Sequence, residues 1–181
     1  NKRRETEWLI EVSFDSIYEE FGRLAQVFNT KQINQIKEIE FDYELSVVKP
    51  KQRMVKEVCF SFLVTDYRSV ISDIYLDNSR LKRLLDNCGI QHYDHLLSSA
   101  TYGYLKHDGR LFPIYLDVLK KSGVSIAPHE CFHTGDNPVS DGSSPQKHGI
   151  QSFFYNKSVE NYKHSEIHKV LRLPNGYDTT N

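Results

Sequence analysis

The run His133-Thr-Gly-Asp-Asn-Pro-Val-Ser-Asp141 sets two carboxylates, Asp136 and Asp141, on a glycine-centred turn that follows a short apolar stretch. Carboxylate oxygens on such a turn suit a hard divalent cation, Mg²⁺ above all, with the Asn137 side chain placed to assist. Upstream, Ile71-Ser-Asp-Ile-Tyr-Leu76 offers the Ser72 hydroxyl, and Lys106-His-Asp-Gly-Arg-Leu-Phe112 offers an ammonium group. A hydroxyl and a point charge are what a phosphate oxygen accepts. Asp15, at the end of Trp8-Leu-Ile-Glu-Val-Ser-Phe14, is the candidate nucleophile and a third metal ligand. Phosphoryl transfer through a covalent intermediate needs a nucleophile, a divalent ion and fixed donors on the transferring group, and the chain holds a residue for each task.

Each of these residues has a plainer use. Gly, Asp, Asn and Pro are common turn residues, and serines cap turns. A lysine before His-Asp-Gly is often a solvated loop charge. Asp15 also reads as the N-cap of a helix over residues 16–28. A second motif, His129-Glu-Cys-Phe-His133, matches the zinc-protease pattern, which works by putting both histidines on one helix face. Pro128 and Gly135 leave room for only about one and a half turns of helix. Cys131 and Phe132 favour a strand, so zinc hydrolysis is the weaker expectation and predicts stoichiometric zinc on His129 and His133.

The elements that must position these groups follow from periodicity. An apolar, β-favouring run at 8–14 predicts a buried strand ending at Asp15. Ile17, Phe21, Leu24 and Phe28 keep helical spacing, a second helix begins behind Thr30, and Pro50 separates that pair from a third helix near 52–63. Strand-then-helix units come next: a strand at 68–72, a helix at 78–88 capped by Asp77 or Asn78 and closed by Gly89, a strand at 95–99, and a helix at 111–121 stopped by Gly123. Strands at 130–134 and 149–155 follow, then a polar tail with a helix at 165–173 and a turn at 174–176. This alternation predicts an α/β fold, a Rossmann-like, mainly parallel sheet flanked by helices. Ligands of such sheets sit beyond the carboxyl ends of the strands, where Asp15, Ser72, Ser99 and Asp136 fall.

Composition narrows the partners. The 23 basic and 24 acidic residues nearly cancel in 181, so no global field recommends nucleic acid or an anionic membrane. The many tyrosines and phenylalanines lack a basic stripe, which favours packing over a nucleic-acid platform. The three cysteines, Cys59, Cys88 and Cys131, cannot all pair and show no C-x-x-C spacing, so a reducing cytoplasm is expected. No apolar run approaches the roughly 20 residues that span a bilayer, so no membrane insertion is expected. Asn156-Lys-Ser158 matches a glycosylation acceptor but has no secretory context.

Taken together, these residues resemble the haloacid dehalogenase superfamily of hydrolases, in the group associated with bacterial surface-polysaccharide biosynthesis genes. The resemblance runs from about residue 50 to 155. It implies that Ser72 is the phosphate-binding hydroxyl, with Asp73 beside it in the substrate site, and that Lys106 is the charge-stabilising lysine. It implies that Asp136 and Asp141 are the acidic pair, with Asn137 near the substrate and Lys147-His-Gly-Ile150 completing the motif. Residues 16–60 are similar, more loosely, to a small helical cap, with 1–15 as the first core strand and 61–181 as core and tail. The implied activity is Mg²⁺-dependent hydrolysis of a small phosphorylated substrate, such as a sugar phosphate, through an aspartyl-phosphate on Asp15. The first motif departs from the family pattern: positions 17 and 19 are Ile and Glu, so the acid that serves as proton donor is absent. A binding module of the same fold that has lost its chemistry, as one part of a larger polysaccharide enzyme, is therefore the alternative expectation.

Overall fold

The computed structural model describes residues 12–52, 55–56 and 65–154. It is a mixed α/β structure with six α-helices and two small parallel sheets among those residues. The chain divides into two compact units, with the division between Asp117 and Val118.

In the first unit, α1 (Phe14–Leu24) starts at Ser13, whose hydroxyl accepts the Ser16 amide at 3.0 Å. The serine satisfies one of the amide groups that a helix start leaves without a partner. The predicted strand over 8–14 lies mostly outside the described residues, but its last residue, Phe14, is helical. Asp15 therefore occupies the first turn of α1 and not a strand tip, because Ser13 is the better-placed cap. The second helix, α2 (Thr30–Val47), is capped by Asn29 and not by Thr30. Asn29 Oδ1 accepts from the Gln32 amide at 3.0 Å while Gln32 Oε1 accepts from the Asn29 amide at 2.9 Å. This is the reciprocal capping box. Of the predicted third helix near 52–63, residues 52, 55 and 56 are helical and the rest lies outside the described residues.

Strand β1 (Ser69–Ser72) pairs in parallel with β2 (His95–Ser98), with Ser69 opposite His95 and Ser72 opposite Ser98. Between them runs α3 (Asn78–Asn87), where Asp77 accepts the Ser79 and Arg80 amides, and Gly89 closes the end at φ +77°. A one-turn α4 (Ser99–Tyr102) and then α5 (Leu111–Lys121) follow; the latter spans the expected residues and runs across the division of the chain. Phe14, Tyr18, Ile33, Phe41, Leu76 and Leu81 form one buried cluster, with Ile74, Leu84 and Leu96 packed on it. The first two helices share their interior with the loop after β1, with α3 and with β2.

Two tyrosines fasten this cluster. Burial, reinforced by hydrogen bonds to the Glu40 and Glu44 carboxylates, pushes the Tyr18 and Tyr75 phenols up to about 12. A raised pKa means that the folded state holds the phenol proton more tightly than the unfolded chain, whose phenols titrate near 10. Their contribution is therefore complete below about pH 10 and is lost as pH rises toward 12. Denaturant unfolding from pH 8 to 12 should show stability falling in that window, and the double variant Tyr18→Phe/Tyr75→Phe should flatten the fall.

In the second unit, a 3-10 turn (Pro128–Glu130) leads into β3 (Phe132–Gly135), which pairs in parallel with β4 (Gln151–Phe154). The predicted strand at 130–134 is thus shifted, because Pro128 opens a tight turn that Glu130 closes by accepting the Ala127 amide at 2.8 Å. The crossover between the strands is a π-helical turn (Pro138–Ser143) followed by α6 (Ser144–Gln146). Ser140, Asp141, Ser144 and Ile150 are buried within it. Among the described residues the strands form two two-stranded parallel sheets, one in each unit; the helix at 165–173 and the turn at 174–176 lie outside the described residues.

Candidate functional site

At the carboxyl end of β1 the chain turns out of the strand at Asp73. Its two carboxylate oxygens accept consecutive backbone amides, Oδ1 from Lys106 at 2.5 Å and Oδ2 from His107 at 2.9 Å. Two successive amides on one carboxylate fix the loop as a rigid group, because a charge-assisted hydrogen bond is roughly twice as strong as a neutral one. The Lys106 side chain then runs back to the same strand end, with Nζ 3.4 Å from the Ile71 carbonyl oxygen. Ser72, Asp73 and Lys106, separated by more than thirty residues in sequence, are brought together at one strand tip. Asp73, expected to bind substrate, is engaged in holding the lysine loop.

The end of β2 is held just as closely. The buried Ser99 hydroxyl accepts the Ile74 amide at 2.8 Å and lies 3.2 Å from the Ile74 carbonyl, to which it donates. Asn78 Oδ1 accepts the Ser98 amide and its Nδ2 donates to the Leu96 carbonyl, both at 2.8 Å. These side chains lock the two loops that leave the parallel strands. Sequence reasoning singled out Ser99 as a strand-end residue but gave Asn78 only a possible capping part.

Asp15 makes different company. Lys37 Nζ lies 3.0 Å and Arg80 Nη2 3.2 Å from its Oδ1. Burial raises its pKa, but the two cations outweigh this and hold the carboxylate below its usual range. Arg80 also pairs with Asp77 at 2.5 Å and Glu38 at 3.4 Å, and stacks over the Phe14 ring at 5.1 Å. In Asp77, burial is likewise outweighed, by hydrogen bonds from Ser79 and Arg80, and the pKa falls to about 2. This ion network ties α1, α2 and α3 together. Only the Asp77–Arg80 pair is local in sequence; the pairs that join different helices lie 22 to 65 residues apart.

In the second unit, the acidic motif is built as a self-braced turn. Asp141 is 3% exposed, yet its charge is satisfied: Oδ1 lies 2.9 Å from His133 Nε2, and Oδ2 accepts the Asn137 amide at 2.9 Å. Asn137 in turn caps the π-helical turn, its Oδ1 accepting the Val139 and Ser140 amides at 2.9 Å. Asp136 is exposed just past the carboxyl end of β3. His133 therefore serves as a partner of Asp141 on a strand, and the helix that the zinc-protease pattern requires is absent from residues 129–133.

The donor set bears on Mg²⁺. Among the described residues no group of three or more His, Cys, Asp or Glu side chains is arranged to hold a metal ion. Mg²⁺ itself asks for less, commonly one or two carboxylates with water and substrate phosphate filling the octahedron. Of the expected ligands, Asp136 is exposed, while Asp141 and Asn137 spend their oxygens on the turn and Asp15 spends one on cations.

No helix among the described residues is long and apolar enough to cross a membrane. Comparison with known proteins brings no match, either to a protein-family model or to a curated protein sequence.

Proposed function

We propose that the chain is a haloacid-dehalogenase-type, Mg²⁺-dependent phosphohydrolase that acts on a small phosphorylated substrate such as a sugar phosphate. The observation that supports this reading best is the Asp73 clamp, which delivers Lys106 to the β1 tip beside Ser72. The Ser72 hydroxyl would donate to one phosphate oxygen and the Lys106 ammonium would offset charge on another. In the second unit, Asp136 would be the carboxylate that holds Mg²⁺, with Asp141 and Asn137 keeping its turn in shape. Asp15 would be the nucleophile, in its ionised form at neutral pH.

A specific observation favours a second reading. Asp15 stands in a helix between Lys37 and Arg80, and a carboxylate so paired is a poor nucleophile. A phosphate-binding module of the same fold, without turnover, fits that placement and keeps the β1 grip intact.

One pair of measurements separates the readings. With an aryl phosphate and Mg²⁺, the hydrolase reading expects turnover that falls about 100-fold or more in Lys106→Met, the scale on which one electrostatic donor acts. It also expects Asp15→Asn and Asp136→Asn to abolish turnover. The binding reading expects no turnover, but calorimetric binding of inorganic phosphate that Lys106→Met removes. Neither turnover nor phosphate binding by folded protein would reject both.

A further inference from the structure

The two helices that open the first unit flank an open cleft of about 470 Å³, lined by Tyr18 and Ile33 and by small and polar residues in a regular pattern. On α1, Asp15, Glu19 and Gly22 recur at intervals of four and three; on α2, Thr30, Asn34 and Lys37 do the same. Both sets therefore occupy single helix faces, and the faces oppose each other. The Asp15–Lys37 ion pair stands at one end of the series, and Phe28, 40% exposed, lies in the segment joining the two helices. The volume falls within the roughly 300–1,000 Å³ of small-molecule pockets.

Gly22 supplies an independent sign that the space is kept open. A glycine inside a helix costs about 0.5–1 kcal/mol relative to alanine. Packing does not demand it here, since a Cβ at this position would meet Ile33 Cγ1 at an ordinary 3.6 Å and nothing nearer. What a larger side chain would take away is the cavity.

The lining also selects among ligands. Lys37 and Arg80 are both engaged by Asp15, so an anion would meet the Glu19 carboxylate with the neighbouring cations already committed. A hydrocarbon chain would strip water from Glu19, Asn34 and Thr30 without replacing their hydrogen bonds. A polyol satisfies all of them. Its hydroxyls donate to Glu19, accept from Lys37 and do both with Asn34 and Thr30, while a C–H face packs on the Phe28 ring.

We infer that the α1–α2 cleft is a binding site for a neutral sugar ring. It requires no phosphate chemistry and stands whether or not the β1 tip handles phosphate.

The test titrates the full ¹⁵N-labelled chain with D-glucose and D-galactose, and separately with inorganic phosphate and hexanol. Saturable amide shifts at Gly22, Thr30 and Asn34 are expected with at least one hexose and not with phosphate or hexanol. Gly22→Leu, which raises helix propensity while filling the cleft, should abolish binding, and Asn34→Ala should weaken it about tenfold, the worth of roughly one lost hydrogen bond of 1.4 kcal/mol. Thermal midpoints report that both variants fold. No hexose-dependent shift, hexose affinity unchanged in both variants, or tighter binding of phosphate or hexanol read at the Gly22, Thr30 and Asn34 amides would each overturn the inference; the last would mark the cleft as an anion site or an apolar groove instead.

Discussion

Gly135→Ala is expected to destabilise the protein by about 3 kcal/mol, the upper part of the range for overpacking a close-fitted interior. The backbone of Gly135 has ordinary dihedrals, so the cost is purely steric. A Cβ there would sit 2.2 Å from Asp141 Cγ and within 2.6 Å of both its oxygens. Asp141 is buried and cannot swing aside without giving up its contact to His133 and its hydrogen bond from the Asn137 amide. A buried donor stripped of its partner adds its own penalty of about 1–3 kcal/mol. Denaturant unfolding of the single variants and of Gly135→Ala/Asp141→Ala isolates the cause. If the clash is with the carboxylate, the added methyl group should cost little once Asp141 is truncated, giving a coupling energy as large as the Gly135→Ala loss. An unchanged unfolding midpoint in Gly135→Ala would show that the turn relaxes freely and that the close approach has no consequence.

Asp73→Ala should have the next largest effect, and on two readouts. Removing the carboxylate deprives the Lys106 and His107 amides of their acceptor, at a cost of about 1.5–3 kcal/mol for hydrogen bonds to a charged group. It also releases the loop that carries Lys106, so phosphate binding should weaken at least about tenfold, since each 1.4 kcal/mol of lost positioning is a factor of ten. Asp73→Asn should fall between wild type and Asp73→Ala, because its one carbonyl oxygen can still accept one backbone N–H while its amide group turns a donor toward the other. Both the Lys106 and His107 amide resonances should move upfield in Asp73→Ala, and at least one of them in Asp73→Asn, as their hydrogen bonds are lost. Wild-type phosphate affinity in a variant with displaced amides would separate the clamp from the phosphate grip and weaken the proposal that joins them.

Much of the local structure was legible from spacing alone. The helix at Leu111–Lys121 follows its apolar repeat and stops at Gly123, and α3 begins at Asp77 and ends at Gly89 as cap chemistry requires. The strands at 69–72 and 95–98 stand within a residue of expectation because short β-branched and leucine-rich runs between turn residues admit few other readings. Boundaries were misjudged where two caps competed within a few residues: Ser13 took the helix start from Asp15, and Asn29 took it from Thr30. The acidic motif was legible as a carboxylate-bearing turn. Which carboxylate faces solvent was not, because Asp136 and Asp141 are alike as residues and differ only in burial.

What the amino-acid sequence determined by itself, then, was the succession of helices and parallel strands and the residue types gathered at their ends, since caps, turns and periodicity act over a few neighbouring residues. Tertiary structure alone decided what those residues do to one another. The Asp73 carboxylate was spent on a loop 33 residues away, Asp15 was drawn between Lys37 and Arg80, and the helical hairpin was packed into the same interior as β2. Charges and apolar faces have many possible partners along a chain, and only the packed fold, where burying one without its complement is costly, selects among them.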